Sequence, residues 1–207
     1  MPGSAFAYWT SDDMRQKFRG LRVFEGNAGA AKQGLVTSND FRFLRCSWEV
    51  SGQRIGFSGN DTLTARSWVA FPNGGEFSPH YADIPLLVNW GNRGAEIKLF
   101  ERSVIRNEEF YFLPGLTWPL RASSFSPQVR PSGSLFSIRS YSILAEAENQ
   151  LPYLLGLTCS KVFDFIFKML LGRYGFPEFI VGVLKVLPIP NPDPQSRTIL
   201  GSLALTT

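Results

Sequence analysis

Residues 86–100, Leu86-Leu87-Val88-Asn89-Trp90-Gly91-Asn92-Arg93-Gly94-Ala95-Glu96-Ile97-Lys98-Leu99-Phe100, decide the reading of the fold. Two short runs rich in branched and aromatic residues flank a Gly/Asn cluster, the signature of brief strands joined by turns. The pattern recurs outward on both sides, in Phe41-Arg42-Phe43-Leu44-Arg45, Ser67-Trp68-Val69-Ala70-Phe71 and Phe110-Tyr111-Phe112-Leu113. Pro72-Asn73-Gly74-Gly75 reads as one of the turns. From about residue 20 to 145 the chain therefore reads as β-rich.

Helical texture brackets this body. Ser11-Asp12-Asp13-Met14-Arg15-Gln16-Lys17-Phe18 predicts a short helix, with Ser11 as N-cap, two Asp at the positive end and Gly20 as the stop. Leu154, Leu155, Val162, Phe163, Ile166, Phe167 and Leu170 recur at helical spacing and predict one long late helix. Lys161, Asp164 and Lys168 interrupt that run, so it does not read as a membrane span. The prolines of Pro188-Ile189-Pro190-Asn191-Pro192 end regular structure and mark a domain edge. The predicted fold class is α+β, a β-rich body with a short N-terminal helix and one long late helix.

Composition narrows the chemistry. The 207 residues suit one domain, and 44% hydrophobic against 18% charged residues describe a chain that folds. Two cysteines make no disulfide framework and point to a reduced, cytoplasmic setting. One histidine excludes any site built on two His ligands, and Cys46, His80 and Cys159 share no ligand spacing, so no metal is expected. The net charge is +4, and of the 21 basic residues 15 are Arg. Guanidinium forks bind phosphates and guanine edges in a bidentate way, although they equally pack along aromatic surfaces.

Familiar catalytic signatures are missing. Gly26-Asn27-Ala28-Gly29 lacks the close Gly-x-Gly of a nucleotide-binding turn. Asn191-Pro192-Asp193-Pro194 departs from the Asn-Pro-Pro-aromatic motif of adenine methyltransferases and reads as a boundary. Asp83 with Glu96-Ile97-Lys98 is similar to the Asp…Glu-x-Lys pattern of metal-dependent nucleases. On a strand, Glu96 and Lys98 would share one face and, with Asp83, could hold magnesium; an edge strand with outward charges reads the same way.

Several segments, in order, carry a family resemblance: Phe6-Ala7-Tyr8-Trp9-Thr10-Ser11, Gln33 through Arg45, Trp48-Glu49-Val50, Phe71-Pro72-Asn73-Gly74-Gly75 and Val88-Asn89-Trp90. Phe110-Tyr111-Phe112, Gly115-Leu116-Thr117-Trp118, Phe125-Ser126, Pro131-x-Gly133 and Leu187-Pro188-Ile189-Pro190 follow. Together they resemble the target-recognition region of large adenine-specific DNA methyltransferases, the type IIG restriction-modification and BREX-type phage-defence enzymes. The closing segment is also similar to the recognition domains of type I specificity subunits. One departure stands out: the family's glycine pair is followed by Arg and then Trp-Tyr-Gly-Asn, here replaced by Ser78-Pro79-His80-Tyr81-Ala82-Asp83.

The resemblance implies a division of the chain. Residues 1–20 would be a helix or linker from a methyltransferase domain, 21–190 the recognition domain, and 191–207 a Pro-rich boundary and tail. It implies a non-catalytic reader of double-stranded DNA, partnered by a methyltransferase domain or subunit that binds S-adenosylmethionine and methylates a flipped adenine.

Two segments offer contacts for such a reader. Between Phe110 and Ala145 there is no acidic residue, yet Arg121, Arg130 and Arg139 stand among Ser123, Ser124 and six further serines. Such a stretch suits a phosphate backbone, or forms an ordinary polar loop. Thr37, Asn39 and Arg42 form the second set, because Asn reads adenine and Arg reads guanine. Asn39 and Asp40 could instead bond their own backbone in a turn. Arg42 and Arg45 cannot share one face of a strand, so one should lie outside and the other stacked or paired internally. Trp48, Trp68, Trp90 and Trp118 are expected in the core. A small magnesium-dependent nuclease built on Asp83, Glu96 and Lys98, and a docking module for a defence complex, are the alternative readings.

Overall fold

The computed structural model describes residues 11–172 and 175–206. The segment Phe6–Thr10, which opens the family resemblance, lies outside them. The fold is α+β, as the sequence predicts. Its helices are α1 (Asp12–Gly20), α2 (Asp40–Phe43), α3 (Gly91–Leu99), α4 (Leu151–Thr158), α5 (Lys161–Leu171), α6 (Val181–Val186) and α7 (Pro194–Leu205). The strands are β1 (Arg22–Val23), β2 (Ala30–Lys32), β3 (Leu44–Cys46), β4 (Trp68–Ala70), β5 (Leu86–Asn89), β6 (Gly115–Pro119), β7 (Gln128–Arg130), β8 (Ser140–Leu144) and β9 (Pro188–Ile189).

Two antiparallel sheets organise the molecule. One runs β2-β8-β6-β7 and the other β3-β5-β4. A short β1-β9 pair joins the chain's start to its Pro-Ile-Pro run. In the four-stranded sheet every residue of β6 and β8 is buried, because both faces are covered. Leu116, Trp118, Phe125, Ile143, Phe163, Phe167, Phe179 and Leu184 form its core, with α4 to α7 contributing. The Trp118 indole N–H donates to the Phe179 carbonyl at 2.8 Å, which satisfies its polar atom. A second core packs Phe43, Val69, Phe71, Val88, Trp90, Tyr111 and Phe136 around the three-stranded sheet.

Residues 133–138 stitch the two cores together. Leu135 N–H donates to Ala70 O (2.9 Å), Leu35 N–H to Phe136 O (2.9 Å) and Ile138 N–H to Leu35 O (3.3 Å). Gly34 stands at this seam for a steric reason: a Cβ there would lie 1.8 Å from Phe136 O.

Local structure departs from the sequence reading in four places. The long late helix is two, because Ser160 caps α5 by accepting from Phe163 N–H (3.2 Å) just after α4 ends at Thr158. Residues 40–46 are a short helix followed by a strand, since Asn39 caps α2 by accepting from Arg42 N–H (3.1 Å). Residues 110–113, where a strand was expected, hold the end of a 3-10 turn (Glu108–Phe110) and an irregular turn after it. Glu96 and Lys98 lie on α3, whose first turn is distorted by left-handed Asn92, Arg93 and Gly94. The prolines do interrupt regular structure, but Asp193 then caps α7 by accepting from Ser196 N–H (3.0 Å). Residues 194–205 are thus no loose tail: Gly201 brings α7 so near α4 that a Cβ would lie 3.2 Å from Tyr153 N.

Candidate nucleic-acid interface

The two sequence-predicted contact segments meet at the seam between the cores. Thr37, Ser38 and Asp40, Phe71 and Asn73, and Ile138 and Arg139 line a cleft of about 230 Å³, and Asn39 does not face it. Sheet register brings Arg139 there: β6 and β8 pair from Leu116↔Ile143 to Pro119↔Ser140. The pairing continues with Leu120 N–H donating to Arg139 O at 2.9 Å. Arg121, the next residue, therefore stands at the same end of the sheet. The turn after Phe71 is drawn in by Gly74 N–H donating to the Ser140 hydroxyl at 2.7 Å. Gly74 and Gly75 adopt positive φ (88° and 150°) and are exposed.

Within the cleft the acidic partner is Asp40, a residue the sequence reading assigned only to a turn. The buried Thr37 hydroxyl donates to Asp40 Oδ1. Arg139 Nη1 stands 3.7 Å from Asp40 Oδ2, beyond hydrogen-bond reach. Both side chains are open to solvent, at 64% for Arg139 and 47% for Asp40. Asn39 Oδ1 is committed to capping α2, so the turn alternative describes this residue correctly. Thr37 and Asn39 thus shape the cleft through Asp40 and α2.

The other predicted contacts sort by burial. Arg42 is exposed, bonds Glu96 through Nε (2.9 Å) and Nη2 (2.6 Å), and lies over the Phe43 ring at 5.2 Å. Arg45 is half-buried, lies 5.9 Å from the Trp68 ring centre and donates to the carbonyls of Phe41 (2.8 Å) and Leu44 (2.6 Å). Arg42 is thus on the surface and Arg45 stacked and bonded to neighbouring carbonyls, an arrangement that a helix-to-strand transition produces. Arg121 is exposed and pairs with Glu178, its Nε donating at 2.7 Å. Ser123 is exposed, whereas Ser124 accepts from Lys168 Nζ at 3.1 Å.

Arg130 requires correction as a DNA contact, because it is 0% exposed. Its Nε donates to Ser142 Oγ (3.1 Å), its Nη1 to Ser134 O (3.0 Å), and its guanidinium lies 4.9 Å from the Phe136 ring centre. Nη2 has no partner. Burial without a carboxylate lowers its pKa to about 10. Ser126, Ser134, Ser137, Ser140 and Ser142 are buried as well, so most of the acid-free Ser/Arg stretch is interior architecture.

Two of the exposed aromatics that the sequence reading did not single out as exposed follow residues 37–40 in the chain. Phe41 is 91% and Trp48 77% exposed, which corrects the core assignment of Trp48; Trp68, Trp90 and Trp118 are buried as expected. Phe41 follows Asp40 directly in α2 and does not line the cleft. Its place in the first turn of a short helix, two residues after the N-cap Asn39, was the available signal.

The nuclease pattern does not assemble as predicted. On a helix, positions two apart point in widely different directions, so Glu96 and Lys98 leave α3 on separate sides. Glu96 engages Arg42, Lys98 bonds Glu108 at 2.5 Å, and Asp83 accepts from the Tyr81 hydroxyl at 2.7 Å. Among the described residues no group of three His, Cys, Asp or Glu could hold a metal ion. Nor is any described helix long and apolar enough to cross a membrane.

No family model matches the chain. It is similar to the adenine-specific methyltransferase PglX of Lacticaseibacillus casei (strain Zhang), at 27% identity over an alignment of 214 residues. That alignment covers 98% of this chain and 18% of the methyltransferase, so the chain spans under a fifth of that relative's length.

Proposed function

We propose that this chain is a DNA target-recognition region, non-catalytic by itself, that serves an adenine-specific methyltransferase in restriction-modification or phage defence. The observation that carries the reading is the cleft at the seam. Three segments remote in sequence deliver a carboxylate, an exposed glycine turn and a guanidinium to one open edge. Similarity to one segment of a methyltransferase supports the same reading.

In this reading the residues divide by role. Arg121 neutralises phosphate and Ser123 donates to it, fixing register, while Arg42, Asp40 and Arg139 face base edges. The ion pairs of Arg42 and Arg121 are no obstacle. Exposed pairs are worth about 0–1 kcal/mol, less than a charge-assisted bond to phosphate. Double-stranded DNA is one partner, and a methyltransferase domain or subunit that binds S-adenosylmethionine is the other.

The test is duplex binding followed by fluorescence anisotropy between roughly 50 and 200 mM salt. Log affinity should fall linearly with log salt, and Arg121→Ala should reduce the slope by about 0.9. Binding that is flat across this range, or absent at its lower end, overturns the proposal.

A further inference from the structure

We propose that Asp40 and Arg139 act as a matched pair that reads a single G·C base pair in the major groove. Arg139 would donate to guanine O6 and N7, and Asp40 Oδ2 would accept from N4 of the paired cytosine. The inference deepens the recognition reading above and rests on it.

The first ground is the state of the two groups. At 3.7 Å they are close enough to hold each other's orientation, yet they share no hydrogen bond. Asp40 Oδ1 is occupied by the Thr37 hydroxyl, which leaves Oδ2 as the outward acceptor. Among the described residues nothing hydrogen-bonds the Arg139 guanidinium, so its donors are available at the rim. An ordinary structural ion pair would close to bonding distance. This one leaves a donor set and an acceptor side by side.

The second ground is that both mounts are rigid. Asp40 opens α2, whose N-terminus is fixed by the Asn39 cap. The Arg139 backbone is held on both sides, its N–H donating to Ser137 Oγ (3.1 Å) and its carbonyl accepting from Leu120 N–H (2.9 Å). Because the Ser137 hydroxyl is buried, the hold is internal. Fixed backbone mounts set where both side chains emerge, so only the exposed Arg139 side chain has to order on binding.

The chemistry then selects the base pair. In the major groove guanine presents two acceptors, N7 and O6, and its partner cytosine presents the N4 donor beside them. A guanidinium adjacent to a carboxylate complements that order. An A·T pair presents adenine N7 as acceptor, N6 as donor and thymine O4 as acceptor. The guanidinium would then find no adjacent pair of acceptors. A matched contact of this kind discriminates by roughly 5- to 150-fold.

The test selects duplexes from a random-sequence library with the 207-residue chain and with its D40N and R139Q variants. Asp40→Asn keeps the shape and converts an acceptor into a donor, while Arg139→Gln alters an exposed side chain with no packing role. The wild type should yield a consensus containing a G·C position. Both variants should lose preference, by at least about 5-fold, at that one position and keep the rest. A consensus unchanged in R139Q, or variants that relax different positions, overturns the pairing and leaves the recognition reading intact. If the wild type selects no sequence at all, the recognition reading fails and the pair falls with it. Thermal melting of each variant separates lost reading from lost fold.

Discussion

Replacing Arg130 by methionine and by alanine separates an interior role for this residue from a contact with DNA. The guanidinium is fully buried, with one nitrogen unpartnered and no carboxylate nearby. A pKa lowered to about 10 from the usual arginine value amounts to roughly 3 kcal/mol against holding the charge inside. Since this base has a lower pKa folded than unfolded, the penalty applies at every pH below about 10. It is relieved as the pH rises from there toward the ordinary arginine range. Methionine removes the penalty and keeps most of the volume. It also removes the donor to Ser134 O, at about 1–3 kcal/mol, and the contact with the Phe136 ring. Ser134 and Ser142 keep their own partners, because their hydroxyls donate to Pro131 O (2.7 Å) and Leu116 O (3.0 Å).

Arg130→Met should therefore stay within about 2 kcal/mol of wild type. Arg130→Ala adds an unfilled cavity, which costs about 2–5 kcal/mol and lowers the melting temperature by roughly 5–15 °C. The assay is circular-dichroism melting at neutral pH, paired with the salt dependence of duplex binding. Methionine should leave the salt slope unchanged. If methionine melts as low as alanine, the charge contributes net stability and the desolvation argument fails. If it melts normally but the slope falls by about 0.9, Arg130 reaches phosphate and its burial here is not the DNA-bound state.

Gly34→Ala should destabilise by more than about 3 kcal/mol, because the new Cβ meets a backbone carbonyl at 1.8 Å; an unchanged urea midpoint refutes this. The Cys159 thiol, pushed up to about 11 by burial and donating to Pro127 O at 3.3 Å, should react slowly with a disulfide reagent at pH 8. Cys46 should account for the fast phase, so loss of that phase in Cys159→Ser contradicts the assignment. Asp193→Ala should speed amide exchange across residues 194–205, since its carboxylate caps α7. The Ser196 hydroxyl and amide hold the Asp193 carboxyl below the usual range. The cap is therefore complete above ordinary aspartate pH and is lost as the pH falls through that lower value. Exchange that is insensitive to both the substitution and acid would show that α7 is held by packing on α4 alone.

Much of the framework was legible from local pattern. Leu86–Asn89 and Trp68–Ala70 are the strands their branched residues predict, and α1 begins beside Ser11. Misreadings cluster where a single capping residue overrides a periodic pattern. Ser160 divides the late helix and Asn39 turns an apparent strand into α2, each by one side-chain bond to a backbone N–H. Asp193 was visible as an N-cap residue followed by Pro194, and counting prolines concealed it.

The sequence by itself determined the class of the fold, the absence of familiar catalytic motifs, and two of the three segments that supply the cleft. Only the tertiary structure decided which arginines face outward. Arg121, Arg130 and Arg139 look alike in an acid-free stretch, yet two stand at one end of the β6-β8 ladder and the third is enclosed by Ser134, Phe136 and Ser142. Asp40 meets Arg139 across 99 positions of chain, a separation no periodicity registers. The physical reason is that spacing along a chain reports the face of one strand or helix, whereas burial and pairing depend on what the rest of the chain packs against that face.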